Sequence, residues 1–555
     1  MKRIFPLLAS AAVLSLLLLT VSCKDKTPAG RAGVANSPAM EKLIGEAPYV
    51  CALPDDPNVL ISFHLLQLFT KSGFGTDEEF EYYRNLFLDS VDDPMERIGI
   101  SGMLSNPAVA GFDTKHPCLA ALSDVKVISS SWGDPQPQAD LTVSIPLVNN
   151  AFILKSVGDE MEKKEDGNYY MIDEKMAVVV APRLIVAYIP VNKYTSAEEN
   201  LRYLQKALAK KSFHAGGFLA ETVLLGESDM AVYTDDSVSE ISMMSFKEEI
   251  GQDPVTILGG NPFKGIEALC TLDFQTGKVV GDARYVGENP LWNRYCSWIG
   301  TPDRELLNAL PGDSQLAGQL AFQHLSDALD YAQKCLERID GAEGFNLPEI
   351  LAGVGLSPSD LDDIATVAFG FYGGKGFYGD GYNAEGIVAI QTGARLAATV
   401  EDLLKKAGMP GDAYGFRLRR GIHLNVVGEV LLLTVSSGQE IPESRSGFVS
   451  GNRLTSLVKG NSMAVDLSDN TFFLWNVPVE LRIFDYARFL MTDPARVEIL
   501  MEDKQTNAAK SLLLALLPYL TPQGPVPDVD EYDEFYYDFD DFAEYEPVDS
   551  LGYLY

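Results

Sequence analysis

Lys175-Met176-Ala177-Val178-Val179-Val180-Ala181-Pro182-Arg183-Leu184-Ile185-Val186-Ala187-Tyr188, with Tyr169–Ile172 just before it, reads as two or three β-strands. Arg420-Gly421-Ile422-His423-Leu424-Asn425-Val426-Val427-Gly428-Glu429-Val430-Leu431-Leu432-Leu433-Thr434-Val435, preceded by Tyr414–Leu418, repeats that character far downstream. Further signals recur around them in one order. Ile98-Gly99-Ile100-Ser101 matches Val354-Gly355-Leu356-Ser357. The alternating strand Leu141–Ile145 and the helix-like Phe152–Met161 match Val388–Thr392 and Leu396–Lys406. Met230-Ala231-Val232 matches Met463-Ala464-Val465. The offset shrinks steadily along the chain, as small insertions and deletions would make it. Any one short match is a weak signal, but order and spacing together argue for an internal duplication.

Each copy also opens alike. Pro54-Asp55-Asp56-Pro57 is turn chemistry before a strand at Val59–Phe63 and a helix starting over His64–Lys71. Pro311-Gly312-Asp313 precedes Gln315–Phe322 and a helix with Leu325, Ala328, Leu329, Ala332, Cys335, Leu336 and Ile339 on one face. The strands are mostly period-two and joined by Gly, Asn or Asp turns, which predicts antiparallel sheets. The helices are too few and too unevenly placed for a doubly wound fold. The expected class is therefore α+β: two similar copies over 48–303 and 304–525, joined near Gly300–Asp313, with a few packed helices.

The start of the chain reads as an address. Lys2 and Arg3 precede an apolar run through Leu7, Val13 and Leu16–Leu19, and small residues follow. The run stops at Cys23, where Lys24-Asp25-Lys26 turns polar. Thr20-Val21-Ser22-Cys23 resembles the bacterial lipoprotein box, in which the cysteine thiol is lipidated and the bond before it cut. It departs from the usual pattern at Thr20, where Leu is most common. An ordinary cleaved signal, or an uncleaved helix, is the alternative. Each buried methylene adds about 0.8 kcal/mol of membrane affinity, so acyl chains on Cys23 would anchor an acidic body without a basic patch. No later run reaches the roughly 20 apolar residues a span requires; the most apolar lies around Leu512–Leu517. Residues 1–22 are thus expected to be a signal peptide and 23–47, with Pro28, Gly30, Gly33 and Pro38, a flexible tether. Lys24 is compatible with the outer membrane of a Gram-negative envelope; which face stays open.

Charge excludes other classes. The chain of 555 residues holds 44 Lys and Arg against 78 Asp and Glu, a net charge of -34. Nucleic acid and anionic lipid surfaces need clustered basic groups, so neither is an expected partner. Hydrophobic residues make up 46% of the chain, enough to bury a core in each copy.

Candidate chemistry is sparse. Gly374-Lys375-Gly376-Phe377-Tyr378-Gly379 fits G-x-G-x-x-G, but it lies between the strands Thr366–Tyr372 and Ile387–Ile390 and reads as a hairpin tip. Gly99-Ile100-Ser101-Gly102-Met103 lacks the closing glycine of a nucleophile elbow, and Ser357 before Pro358 suits a helix cap. His116-Pro117-Cys118 offers two metal ligands with no partner pair nearby. Neither a cofactor nor a metal is expected. Five cysteines remain beyond Cys23; Cys270 and Cys335 read as core positions. Trp132 beside Gly133-Asp134-Pro135-Gln136-Pro137, and the cluster Trp292, Tyr295 and Trp298, are candidate ligand contacts, although aromatics more often anchor cores.

The C-terminal segment 526–555 is the least ordinary. Asp528–Asp549 carries many carboxylates and no Lys or Arg, which favours a disordered, extended tail. Tyr532, Phe535, Tyr536, Tyr537, Phe539, Phe542 and Tyr545 are interleaved with the acids. Tyr536 and Phe539 are candidate partner contacts if the tail docks on a basic protein surface. Loose Ca²⁺ capture and a merely solvated tail are the alternatives.

Leu53-Pro54-Asp55-Asp56 with its strand and helix, Phe274-Gln275-Thr276-Gly277-Lys278-Val279-Val280, and the lipoprotein start together resemble an uncharacterised family of bacterial lipoproteins of about this length. The resemblance covers most of residues 48–520. It implies architecture and location, and no activity. The expectation is a lipid-anchored envelope protein, at the outer membrane, that binds or assembles without catalysis. The alternative is a hydrolase of an envelope glycan or peptide that uses paired carboxylates.

Overall fold

A computed structural model describes most of residues 36–520. Residues 1–35 and 521–555, and inside the chain the stretches 374–383, 436–452 and 469–482 with several shorter ones, lie outside the described residues. The class is α+β, one large antiparallel sheet with helices around it. Its first strands are β1 (Val59–Phe63), β2 (Cys118–Ser130), β3 (Gly133–Pro146), β4 (Glu162–Lys163) and β5 (Tyr169–Ile172). Then come β6 (Ala177–Ala181), β7 (Leu184–Ile189), β8 (Met230–Thr234), β9 (Ile266–Gln275) and β10 (Lys278–Gly287). The rest are β11 (Leu316–Ala321), β12 (Thr366–Gly373), β13 (Ala384–Gln391), β14 (Gly411–Asp412) and β15 (Gly415–Arg419). They end with β16 (Ile422–Val427), β17 (Val430–Val435), β18 (Ser462–Asp466), β19 (Phe484–Leu490) and β20 (Ala495–Met501).

Pairing runs 4-5-6-7-3-2-1-8-9-10 through the first half. In the second half it runs 14-15-16-17-13-12-11-18-19-20. The halves meet where β10 pairs antiparallel with β20, Lys278 opposite Leu500 and Ala283 opposite Ala495. Gly277 makes the β9–β10 turn possible: its φ is +69°, and a Cβ there would lie 2.8 Å from the Lys504 backbone.

The helices are α1 (Pro38–Glu46), α2 (Leu65–Ser72), α3 (Glu81–Asp89), α4 (Pro94–Ser105), α5 (Ala151–Val157), α6 (Ala197–Ala209) and α7 (Gly217–Leu224). They continue with α8 (Pro254–Leu258), α9 (Pro290–Ser297), α10 (Leu325–Leu336), α11 (Leu347–Gly353), α12 (Ala394–Lys406) and α13 (Ala508–Leu520). Among the described residues, none is long and apolar enough to cross a membrane. Ser357 does cap a short helical turn, Pro358–Asp363, in a reciprocal box with Asp360.

Two expectations change. The tether expected over 23–47 ends sooner, because Ser37 caps α1 and Met40 and Leu43 are buried in the first core. The join near Gly300–Asp313 is packed too: a 3-10 turn, Arg304–Ala309, buries Leu306 and Leu307 against Ala317, Ala368 and Ala389. An apolar face at helical spacing overrides the Pro and Gly around it in both places.

Candidate functional site

Residues opposite each other on paired strands point to one side, so the register assigns every side chain to a face. One face carries Leu60, Ser62, Leu119, Tyr233, Val186, Ala317, Ala368 and Ala389. It is covered: α1, α7 and the turn Pro48–Ala52 close one cluster in the first half, α6 another beside it. The turns Arg304–Ala309 and Arg453–Ser456 close its counterpart in the second half. Between these cores the same face is ionic. Arg496 grips Asp282 across the β10–β20 junction at 2.7 and 2.8 Å, and Arg488 holds the buried Glu498 at 2.6 Å.

The opposite face breaks the usual rule that an antiparallel sheet turns polar side chains outward. In the second half it carries Leu320, Phe369, Val388, Leu433, Met463 and Phe489, all half-buried. In the first half Leu122, Val143 and Val232 continue it. Buried polar groups sit instead on the covered side: Ser62, Thr142, Ser144, Gln319 and Ser462. Helices close the apolar face at its centre. Trp292 of α9 packs with Ala283, Tyr285 and Ala495, and α13 places Ala508 and Leu512 with Val279, Leu272 and Met501. Beside α13 lies an open cleft of about 410 Å³ lined by Ile483, Glu502, Asp503, Ser511, Leu514, Ala515 and Pro518. That lining has no aromatic wall. Asp503 is committed to a turn, accepting from Gln505 N and Thr506 N, and the hydrogen bond from the Thr506 side chain, then those from the two amides, hold its carboxyl below the ordinary range.

A second cluster sits where β1 ends, β8 begins and β9 ends. Lys71 of α2 reaches Asp229 Oδ2 at 2.6 Å and Asp273 Oδ1 at 3.0 Å. Phe274 N donates to Asp229 Oδ2 at 2.8 Å, and Gln275 Nε2 to Asp273 Oδ2 at 2.7 Å. Asp229 is fully buried, and its Oδ1 has no partner. Burial raises the Asp229 carboxyl above its ordinary value, and Lys71 offsets only part of this. Burial also works to raise Asp273, but hydrogen bonds from Gln275 and Lys71 outweigh it and leave that carboxyl lowered. Burial opposes the charge of Lys71 as well, yet the two carboxylates hold its pKa above normal. His64, whose backbone N–H donates to Asp229 O at 2.9 Å, is pushed down by burial against the pull of Asp229. Nearby His116 Nδ1 meets Asp113 Oδ2 at 2.8 Å. Among the described residues, no three His, Cys, Asp or Glu are grouped so as to hold a metal ion.

The chain's nominated residues fall in different places. Cys23, Trp132, Tyr536, Phe539, most of the signal and tether, the acidic tail and the Gly374–Gly379 motif lie outside the described residues. Trp292 is 7% exposed, a core residue withdrawn from any contact surface. Trp298 is half-buried, and its Nε1 donates to Asp327 at 2.8 Å. Arg294 pairs bidentately with that carboxylate, at 2.5 and 2.9 Å, and lies 4.9 Å over the Tyr331 ring. This set ties α9 to α10, the last helix of one half to the first of the other. At the opposite rim α13 is tied to the segment after α2, Lys510 pairing with Asp77 at 2.6 Å and also with Glu79. Cys51, Cys118 and Cys335 are free thiols; burial pushes Cys118 up to about 11. Sequence reasoning missed the Lys71 cluster, since its members are far apart in the chain and each looks like an ordinary surface charge.

No family model matches the chain, and no curated protein does. Three solved structures are similar over part of it. Crystal form IV of TP0453 has a TM-score of 0.23 at 12% identity, covering 42% of this chain and 79% of that one. Form I has 0.24 at 11%, covering 49% and 90%. Form III has 0.17 at 9%, covering 70% and 92%. Likeness at that level carries no argument about activity.

Proposed function

We propose that the chain is a lipid-anchored protein of the cell envelope, at the outer membrane, that binds an apolar ligand or partner without catalysis. We further propose that its halves are copies of one α+β unit. The observation that carries the binding reading is the apolar sheet face running through both halves, half-buried at Val143, Val232, Phe369, Val388 and Leu433. Apolar side chains left partly open across neighbouring strands are what a binding surface presents. The duplication reading is supported by the common pairing order of the two strand sets and by their parallel order of signals in sequence. Anchoring rests on Cys23 and its flanks.

The hydrolase alternative needs two carboxyl groups roughly 5–10 Å apart across a cleft. Asp229 and Asp273 instead hold one lysine between them, an ion-paired set within the fold rather than the two walls of a cleft.

Cys23→Ala with labelled palmitate tests the anchor. Loss of label and release of the chain by carbonate washing are expected; a Cys23→Ala chain that stays tightly embedded would overturn it. Binding of a neutral apolar fluorophore to the mature chain tests the face, and its absence would refute the binding reading.

A further inference from the structure

The two halves meet through counterpart strands. β10 ends the pairing order of the first half and β20 ends that of the second. Asp273 of β9 and Leu490 of β19 hold the same place in the two orders. Val280 stands opposite Asp273, and Arg496 opposite Leu490, so Val280 and Arg496 are counterparts. One residue further along each strand, Gly281 corresponds to Val497, and after it Asp282 to Glu498. In the β10–β20 ladder Gly281 lies opposite Val497, its own counterpart, with Val280 opposite Glu498 on one side and Asp282 opposite Arg496 on the other. A two-fold axis through the Gly281–Val497 pair therefore exchanges the strands. Like meeting like about such an axis is an isologous contact, the arrangement of a homodimer.

The helices obey the same axis. α9 follows β10, and α13 follows β20. α9 packs Trp292 with Ala283 and Tyr285 of its own strand and with Ala495 of β20. α13 packs Ala508 with Met501 of its own strand and with Val279 of β10. Each then reaches the other half: α9 through Arg294 and Trp298 to Asp327 of α10, and α13 through Lys510 to Asp77, just after α2. α2 and α10 are counterparts again, each following the first strand of its half. The two ties are thus one contact made twice, as reciprocal arms of two subunits make it.

The edge of the second half is also complementary to itself. In a β20–β20 pair of this register, Val497 would face its own copy and each Arg496 the Glu498 of the other. In a β10–β10 pair Asp282 would face Val280 and find no cation. Within the chain Arg496 instead takes Asp282, at 2.7 and 2.8 Å, and Glu498 is held by Arg488 at 2.6 Å.

We propose that the surface joining the halves is a self-association surface of one unit: the chain is a two-fold dimer fused into a single polypeptide, and its second half still accepts another copy of itself on β20. This rests on the duplication reading given above.

The test uses the mature full-length chain with a specific protease site inserted between Thr301 and Pro302, in the irregular stretch after α9. After cutting, the halves are expected to stay together as a one-to-one particle, their hold read by sedimentation on dilution. Arg496→Val writes the β10 residue into β20, strips Asp282 of its partner and should weaken the hold about tenfold or more. Adding Val280→Arg puts the cation at the symmetric position, opposite Glu498, and should recover most of that loss. Halves separated in urea and returned to buffer should give a second half that sediments as a dimer. In a Cys335→Ser background, Val497→Cys should join its two copies by a disulfide under mild oxidation by oxidised glutathione, two thiols giving one disulfide as glutathione is reduced, and Ile499→Cys should not. Halves that part as soon as they are cut share no association surface, and the proposal falls while the duplication reading stands. If Val280→Arg deepens the loss, the two positions are not interchangeable and the proposal falls as well. A refolded second half that stays single overturns it too; if that half does not refold alone, the Val280→Arg rescue decides. Halves that fail to superpose in a crystal structure of the chain would remove the duplication reading and the proposal with it.

Discussion

Where β1 meets β8 and β8 meets β9, the first half brings together His64, Asp229 and Asp273. At the corresponding pairs of the second half, β11 with β18 and β18 with β19, stand Gln319, Ser462 and Leu490. The neighbouring residues align, Phe63 opposite Met230 and Gly318 opposite Met463. The second set is held without charge: Gln319 Nε2 donates to Gly460 O at 3.0 Å and Lys459 N to Ser462 Oγ at 2.8 Å, while Gln319 Oε1 is buried without a partner. The first set buries charge and needs a lysine from α2 to hold it. The strand frame therefore does not require the ions. Their structural work is to fix α2 to the sheet, and α2 in turn supports α13 and the edge of the apolar face.

The sharpest break of that comparison is Asp229→Ala. It leaves Lys71 with one partner in a buried site, and a loss of about 3 kcal/mol is expected from denaturant titration, against about 1 kcal/mol for Ser462→Ala. Equal losses would mean that the ions carry no special burden. The converse experiment takes the ions out as a set, with the second half's Ser and Leu at the two acidic positions. Lys71→Met with Asp229→Ser and Asp273→Leu should cost far less than Asp229→Ala alone, since removing a whole buried ionic set is often neutral.

These contrasts show which parts of the molecule were open to reading from sequence. Local pattern was enough for β5 to β7, β15 to β17 and α10, because β-branched runs and a helical stripe are contained in a few residues. The capped helix at Ser37–Glu46 was equally legible, with Met40, Leu43, Ile44 and Ala47 at helical spacing, but the surrounding Pro and Gly drew the reading toward a tether. The ionic cluster was not legible. Lys71, Asp229 and Asp273 meet only after β1, β8 and β9 are in register, and nothing local distinguishes them from the other acids and lysines of the chain. Nor could period-two patterning show that the face of Phe369 and Leu433 would stay apolar and half-open, since that depends on where the helices go.

The two ties between the halves allow a finer test. Trp298→Ala removes a half-buried ring and the hydrogen bond to Asp327, and should cost about 2 kcal/mol. Lys510→Ala removes an ion pair at the surface and should cost about 0.5 kcal/mol. The Arg294 tie also has a pH signature. Hydrogen bonds from Arg294, then Trp298, hold the Asp327 carboxyl down to about 2. A carboxyl depressed by folding stabilises the chain above its ordinary pKa near about 4, and that contribution is lost as pH falls toward about 2. Asp327 is 44% exposed, so water screens much of it and about 1 kcal/mol is expected. Acid titration of Asp327→Asn should lack that step; an identical acid profile would remove Asp327 from the tie.

The smallest effect on stability should come from the apolar face, and there the halves are expected to differ in binding. Phe369 and Leu433 are half-buried already, so Phe369→Ser or Leu433→Ser should cost about 1 kcal/mol or less. Leu122→Ser and Val143→Ser in the first half should cost a similar amount. The second half holds the rings Phe369 and Phe371, 6.3 Å apart, together with Phe489, whereas the first presents the single ring Phe63 at the end of β1 beside aliphatic side chains at Leu122, Val143 and Val232. Rings bury more area per residue, so the second-half changes should weaken apolar-probe binding several-fold more than the first-half ones. Measured in the chain lacking 526–555, the ratio is free of any contribution from the tail. A larger effect at Leu122 and Val143 would move the binding surface to the half that also carries the ions, and would give the Lys71 cluster a reason to be there beyond holding α2.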